Sequence, residues 1–135
     1  MALVTLTSDF GTRDAYVGAM KGALLDVDSE LILVDLSHEL PAQDVRAGML
    51  FLRHATQTFP PGTVHLAVID PGVGSSRRGL AIDDGTHRWV GPDNGLFSHV
   101  LCRPDIRVHE LSNTALRRTT VSHTFHGRDV FAPAA

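Results

Sequence analysis

Two short segments carry residue types able to activate water. Asp70-Pro-Gly-Val-Gly-Ser-Ser-Arg77-Arg78 ends an apolar run with an acid and sets an arginine seven residues later, while Thr124-Phe-His126-Gly-Arg-Asp129 brings an imidazole in a glycine-containing turn. An ionised carboxylate accepts protons, a guanidinium only donates hydrogen bonds, and an imidazole does either near neutral pH. Brought together, they could orient a water molecule and take its proton. Gly72 and Gly74 suit a tight bend that exposes Asp70 and Arg77. The simpler reading of that bend is a Pro-Gly turn with a surface Asp–Arg pair of little energetic weight.

Positioning such a set requires a scaffold, and the hydrophobic pattern predicts one. Ala2–Leu6, Leu31–Leu36 and Thr63–Ile69 are apolar runs of strand length. The second is continuous enough to be covered on both faces. Between the first two, Asp14 is a candidate cap for a helix with Val17, Met20 and Leu24 on one stripe. After Pro41, the residues Val45, Met49, Leu52 and Phe59 predict a second helix that runs to Pro60-Pro61-Gly62. Leu80–Ile82 and Arg88–Val90 read as a hairpin, Leu96 to Leu101 as a short helix, and Ile106–Leu111 and Leu116–Val121 as strands. The expected class is α/β, with a mainly parallel central sheet flanked by helices, in a single domain over 1–135. In such sheets ligands lie beyond the carboxyl ends of the strands, where Asp9, His38 and Asp70 would face one crevice. Asp9 there suits a sugar diol, since its two oxygens accept from two hydroxyls; its other reading is a helix cap or turn residue.

Competing motifs fail on their own terms. The GxxxxGK[ST] loop is absent, and Gly72-Val-Gly74 lacks the third glycine and the following acid of the dinucleotide fingerprint. Ser8-Asp-Phe-Gly11 and His126-Gly-Arg-Asp129 echo two kinase tripeptides in reversed order, without the glycine loop or the strand lysine. His123 and His126 form a pair with no clear third or fourth metal ligand, so no metal is expected. Trp89, Phe97 and Phe125 have the core as their default place, with Phe125 the one best placed to pack on a nucleoside. Pro92-Asp93-Asn94-Gly95 is first a turn.

The net charge of −3 gives no electrostatic reason to expect nucleic acid. A single cysteine, Cys102, excludes an internal disulfide and fits a reducing compartment. No apolar run approaches the roughly 18 residues of a membrane span, and Met1 leads straight into strand residues with no signal peptide. A cytoplasmic protein is expected.

Five segments in order resemble one family. Thr7-Ser-Asp-Phe-Gly-Thr12 with Asp14 and Tyr16, Asp35-Leu-Ser-His38, Asp70-Pro-Gly-Val-Gly74 with Arg77, Gly91-Pro-Asp-Asn-Gly-Leu96, and Thr124-Phe-His-Gly-Arg-Asp-Val-Phe-Ala-Pro133 are similar to the S-adenosylmethionine hydroxide adenosyltransferases. These are relatives of the fluorinase and chlorinase that attack the same substrate with halide. The resemblance implies that hydroxide displaces methionine from C5′ of S-adenosylmethionine, giving adenosine and L-methionine, with Asp70, Arg77 and His126 as the catalytic set. It implies that Asp9 binds the ribose diol, that Thr124, Phe125 and Gly127 line the ribose and C5′, and that Tyr16 and Asn94 are further substrate contacts. It also implies no metal or cofactor, S-adenosylmethionine as the small-molecule partner, and a homotrimer.

The halide branch replaces the acid and the histidine; Asp70 and His126 keep the pocket hydrophilic and disfavour halide. The fluorinase pattern has an aromatic where this chain has Gln43. Family members continue into a C-terminal β-barrel domain, which is absent here, so the resemblance implies an N-terminal domain ending before it. Two functions stay open: a hydrolase or its catalytic half, and a non-catalytic remnant that binds nucleoside or drives oligomerisation.

Overall fold

A computed structural model describes residues 1–135. Strands β1 (Leu3–Ser8), β2 (Ile32–Ser37), β3 (Val64–Val68), β4 (Gly79–Asp83), β5 (Arg88–Pro92) and β6 (Arg107–Glu110) form one sheet in the order β2-β1-β3-β5-β4-β6. The β2, β1, β3 and β5 neighbours are parallel, and β4 runs antiparallel to both β5 and β6. Helices α1 (Tyr16–Val27), α2 (Val45–Ala55) and α3 (Ser98–Leu101) connect the strands, and a π-helical turn at Gly127–Phe131 runs into α4 (Ala132–Ala134). The expected α/β architecture is therefore present.

The core sits on both faces because β3 is buried throughout and alternates. Val64, Leu66 and Val68 pack with Met20, Ala23 and Leu24 of α1 and with Val130 and Phe131. Ala67 of β3 and Ile69 just beyond it pack with Leu52 of α2, Trp89, Leu96 and Phe97 on the opposite face. Gly48 lets α2 lie directly on that face, since the side chains of Ile69 and Leu96 occupy the space a Cβ would need. Burying each such Leu or Phe contributes about 1.5–3 kcal/mol.

Four local expectations change. β2 pairs only with β1 at the sheet edge, and none of its residues is fully buried, Ile32 being 44% exposed, so its apolar run is not covered on both faces. Asp14 does not cap α1, whose N-cap is Ala15 with no side-chain bond, whereas Asp44 caps α2 by accepting from the Ala47 N–H at 2.9 Å. Helix α2 stops at Ala55 rather than Pro60, where the Thr56 hydroxyl donates to the Leu52 carbonyl at 2.7 Å and competes with the backbone pattern. Phe59 then leaves the helix and meets the His65 ring edge-on at 5.9 Å. Leu116–Val121 is not a strand: Asn113 accepts from the Ala115 N–H and folds Thr114–Leu116 into a 3-10 turn, followed by irregular chain.

Candidate active site

β1 and β3 are adjacent and parallel, so the residues just past their ends emerge side by side. Asp9 follows β1, and Asp70 lies two residues past β3. The third wall is the segment from Thr124 to Gly127, held by two devices. Gly74, at φ +77°, lets the 70s loop touch it, for a Cβ there would stand 2.5 Å from the His123 carbonyl oxygen. Asp129, fully buried, accepts from the Ser122 N–H at 2.9 Å and from Arg128 Nε at 2.6 Å, and its carbonyl takes the Arg118 N–H at 3.0 Å. The resulting cavity of about 170 Å³ is lined by Asp9, Phe10, Gln43, Val68, Asp70, Val73, Thr124, Phe125, His126 and Gly127.

Asp70 and His126 of its wall are joined into one chain by Arg77, which is not itself a lining residue. Arg77 Nε donates to Asp70 Oδ1 at 2.9 Å, and Nη2 donates both to Asp70 Oδ2 and to His126 Nδ1, the latter at 2.8 Å. Because a guanidinium has only donors, Nδ1 must present its lone pair. The neutral ring then carries its proton on Nε2. Burial, and next the Arg77 charge, push the His126 pKa down, so the uncharged ring is favoured. The pair is no surface ion pair: Asp70 and Arg77 side chains are 4% and 12% exposed. By contrast, a larger groove of about 300 Å³ at the starts of β3 and β5 carries an Asp83–Arg107 pair that is 27% and 73% exposed, where solvent screens the charges.

Of the remaining expected residues, Asp9, Thr124, Phe125 and Gly127 are in the cavity wall, and three others are not. Tyr16 stands behind it, its ring edge-on to Phe125 at 5.2 Å and half exposed. Asn94 uses its amide as a brace, donating to the Ile69 carbonyl at 2.9 Å and accepting from the Leu96 N–H at 3.2 Å. It thereby holds the chain just before Asp70 and does not line this cavity. His38 does not face the crevice; it is buried, with Nδ1 2.6 Å from the Ser8 hydroxyl and Nε2 3.0 Å from Asp35. Phe10, Val68 and Val73 join the wall without any chemical signal in the sequence, because only the strand ends and loop path bring them there. No group of three or more His, Cys, Asp or Glu side chains is arranged to hold a metal ion.

Residues 4–135 match the SAM hydroxide adenosyltransferase N-terminal domain. The chain belongs to that family. A protein of Methanocaldococcus jannaschii named (R)-S-adenosyl-L-methionine hydrolase is 42% identical over 96% of this chain and 50% of its own. A fluorinase of Actinoplanes sp. is 25% identical over 96% of this chain and 52% of its own. The crystal structure of an uncharacterized conserved protein from Thermotoga maritima superposes with a TM-score of 0.90 at 35% identity, covering 97% of this chain and 51% of that one. The chain thus spans about half the length of the relatives it matches.

Proposed function

We propose that this family member serves the hydrolysis of S-adenosyl-L-methionine to adenosine and L-methionine, by attack of water at C5′ of the ribose. The observation that carries the reading is that Asp70 and His126, on the wall of the cavity that also holds Asp9, are linked by hydrogen bonds through Arg77. The similar hydrolases are named for the (R) epimer at sulfur, and we take that epimer as the substrate.

The chemistry follows from the donor and acceptor inventory. The sulfonium leaves as a neutral thioether, so no acid is needed on that side. Water is the difficult partner, with a pKa near 15.7 in bulk. The His126 Nε2–H positions its oxygen, Arg77 fixes both ring and carboxylate, and Asp70 keeps free lone pairs for the departing proton. The oxygen forms a bond to C5′, the C5′–S pair goes to sulfur, and Asp70 passes the proton to solvent. Asp9 accepts the ribose hydroxyls, while Phe125 and Thr124 flank the sugar. Water is favoured over halide because the Asp70 carboxylate on the wall repels an anion, while Asp70 and the His126 N–H together hold a neutral water by hydrogen bonds. The reading extends to a homotrimer in the cytoplasm working without a cofactor, on the strength of the family resemblance.

Incubation of the chain with each sulfur epimer, with chromatography of the products, is the test. Adenosine and methionine should form, and Asp70→Ala and His126→Ala should lower kcat by about 10²–10⁴-fold. Wild-type turnover unaffected by either change would sink the assignment; halogenated nucleoside on adding chloride or fluoride would replace the nucleophile. Nucleoside binding without turnover would favour a binding module instead. A single trimeric species in sedimentation would support the assembly.

A further inference from the structure

Gln43 is held in a way that nothing in the packing of the fold requires of its residue type. Its φ is +62°, and the only other non-glycine residue in the left-handed region is Asp105. Aspartate tolerates that region because its short side chain bonds locally, whereas glutamine gains nothing from it. Strained backbone of this sort collects at ligand sites. Here the strain has a visible consequence: the Gln43 N–H turns onto Asp9 Oδ2 at 2.7 Å, and the residue lines the same cavity as Asp9, Asp70 and His126. Its side-chain amide makes no hydrogen bond within the chain, and the residue is exposed and lines that wall.

Resting on the reading above, the geometry points to Gln43 as a substrate-binding residue that completes recognition of the sugar diol which Asp9 begins. A carboxylate only accepts, so Asp9 satisfies the two O–H groups and leaves the hydroxyl oxygens without donors. The Gln43 amide adds an N–H₂ group beside it. The backbone N–H of the same residue spends one lone pair of Oδ2 and so fixes the plane of the carboxylate. One residue therefore orients the acceptor and supplies the complementary donor, and the left-handed backbone is what allows both from one position. The sulfonium and its nucleophile are untouched by this device, so its effect belongs to binding rather than to the chemical step.

Gln43→Gly separates the two roles, because glycine keeps the N–H and takes the left-handed φ freely. The expected result is an unchanged or higher Tm, a KM raised about 5–10-fold, and a much smaller change in kcat. Gln43→Glu, equal in size but without the donor, should raise KM at least as far. Against 2′-deoxy and 3′-deoxy substrate analogues the penalty of losing one hydroxyl should be smaller in Gln43→Gly than in the wild type. An unchanged KM in both variants, or equal deoxy penalties in wild type and variant, would overturn the inference. Adenosine binding by calorimetry keeps the two claims apart. A wild type that binds adenosine several-fold tighter than Gln43→Gly yet produces none from S-adenosylmethionine would refute hydrolysis and keep the Gln43 site. A wild type that turns over with the variant matching it would do the reverse.

Discussion

His126 and a cluster of three further imidazoles lie toward opposite ends of β3, and their difference shows what turns a histidine into chemistry. His126 borders an open cavity and has a guanidinium on Nδ1 and a carboxylate one bond further on. His65, His87 and His99 instead surround Trp89: His65 is 4.5 Å from its ring and 4.8 Å from His87, and His99 is 5.2 Å away. There His65 Nδ1 meets only the Thr5 hydroxyl, and both ring nitrogens of His99 are buried without a partner. Burial drives the His65 pKa down to about 3 and that of His99 to about 4. His126, His65 and His99 are thus all favoured in the neutral form. Only the first is neutral beside a charge that fixes its tautomer, so only it presents a defined donor to a ligand.

The comparison breaks most visibly at Arg77. Arg77→Gln removes the bridge and leaves Asp70 without its cation, and kcat should fall about 10³-fold. The His126 pKa should rise in the same variant, because a cation that opposed protonation is gone. An NMR titration of the ring showing no upward movement would mean that burial alone holds His126 neutral, as in the Trp89 group.

A smaller effect is expected on stability as a function of pH. The folded pKa values of His65 and His99 lie below the unfolded 6.5. The unfolded chain therefore binds protons that the folded chain refuses, and stability falls as pH drops from about 6.5 toward 4. Charges that face His99 are Arg53, Arg103 and Asp84, of which the two arginines reinforce the shift and the acid opposes it. His99→Phe keeps a flat ring, loses no hydrogen bond and removes one refused proton. Its urea midpoint should decline less steeply than that of wild type over this range; equal slopes would contradict the packing role. The lowered carboxyls of Asp84 and Asp129 act in a separate window, below about 3.8, where their protonation costs stability.

The smallest effect is the one expected at Tyr16. Its hydroxyl makes no hydrogen bond within the chain and its ring supports Phe125 from behind. Tyr16→Phe should leave KM within about twofold, since the edge-on ring contact is kept. A larger rise would restore Tyr16 to direct substrate contact.

Much of the scaffold is legible because periodicity reports burial directly. The alternation in Val64–Val68 places a residue on each face in turn, and α1 reads from Met20 and Leu24. The errors share one cause. The Leu31–Leu36 run and the Val45–Phe59 stripe show only that residues are apolar, not how many neighbours a strand has or whether Thr56 will take a helix carbonyl. Within the site, Asp9, Asp70, Arg77 and His126 are readable because their types are chemically distinctive, whereas Thr124 and Gly127 are legible only through the family resemblance. Asn94 and His38 were equally distinctive and yet serve as braces, since side-chain type does not reveal which partner lies within 3 Å.

The amino-acid sequence by itself determined the alternation of strands and helices, the apolar stripes that close the core, and the stock of acids, guanidinium and imidazole available for chemistry. Those are local properties, set by residue type and spacing. Only the tertiary structure decided that Arg77 would bridge residues 70 and 126, that Gln43 would turn its N–H onto Asp9, and that the other seven histidines would stay out of the cavity. Hydrogen bonds act over about 3 Å and in set directions. Residues decades apart in the chain meet that condition only when a particular strand order and loop path bring them there.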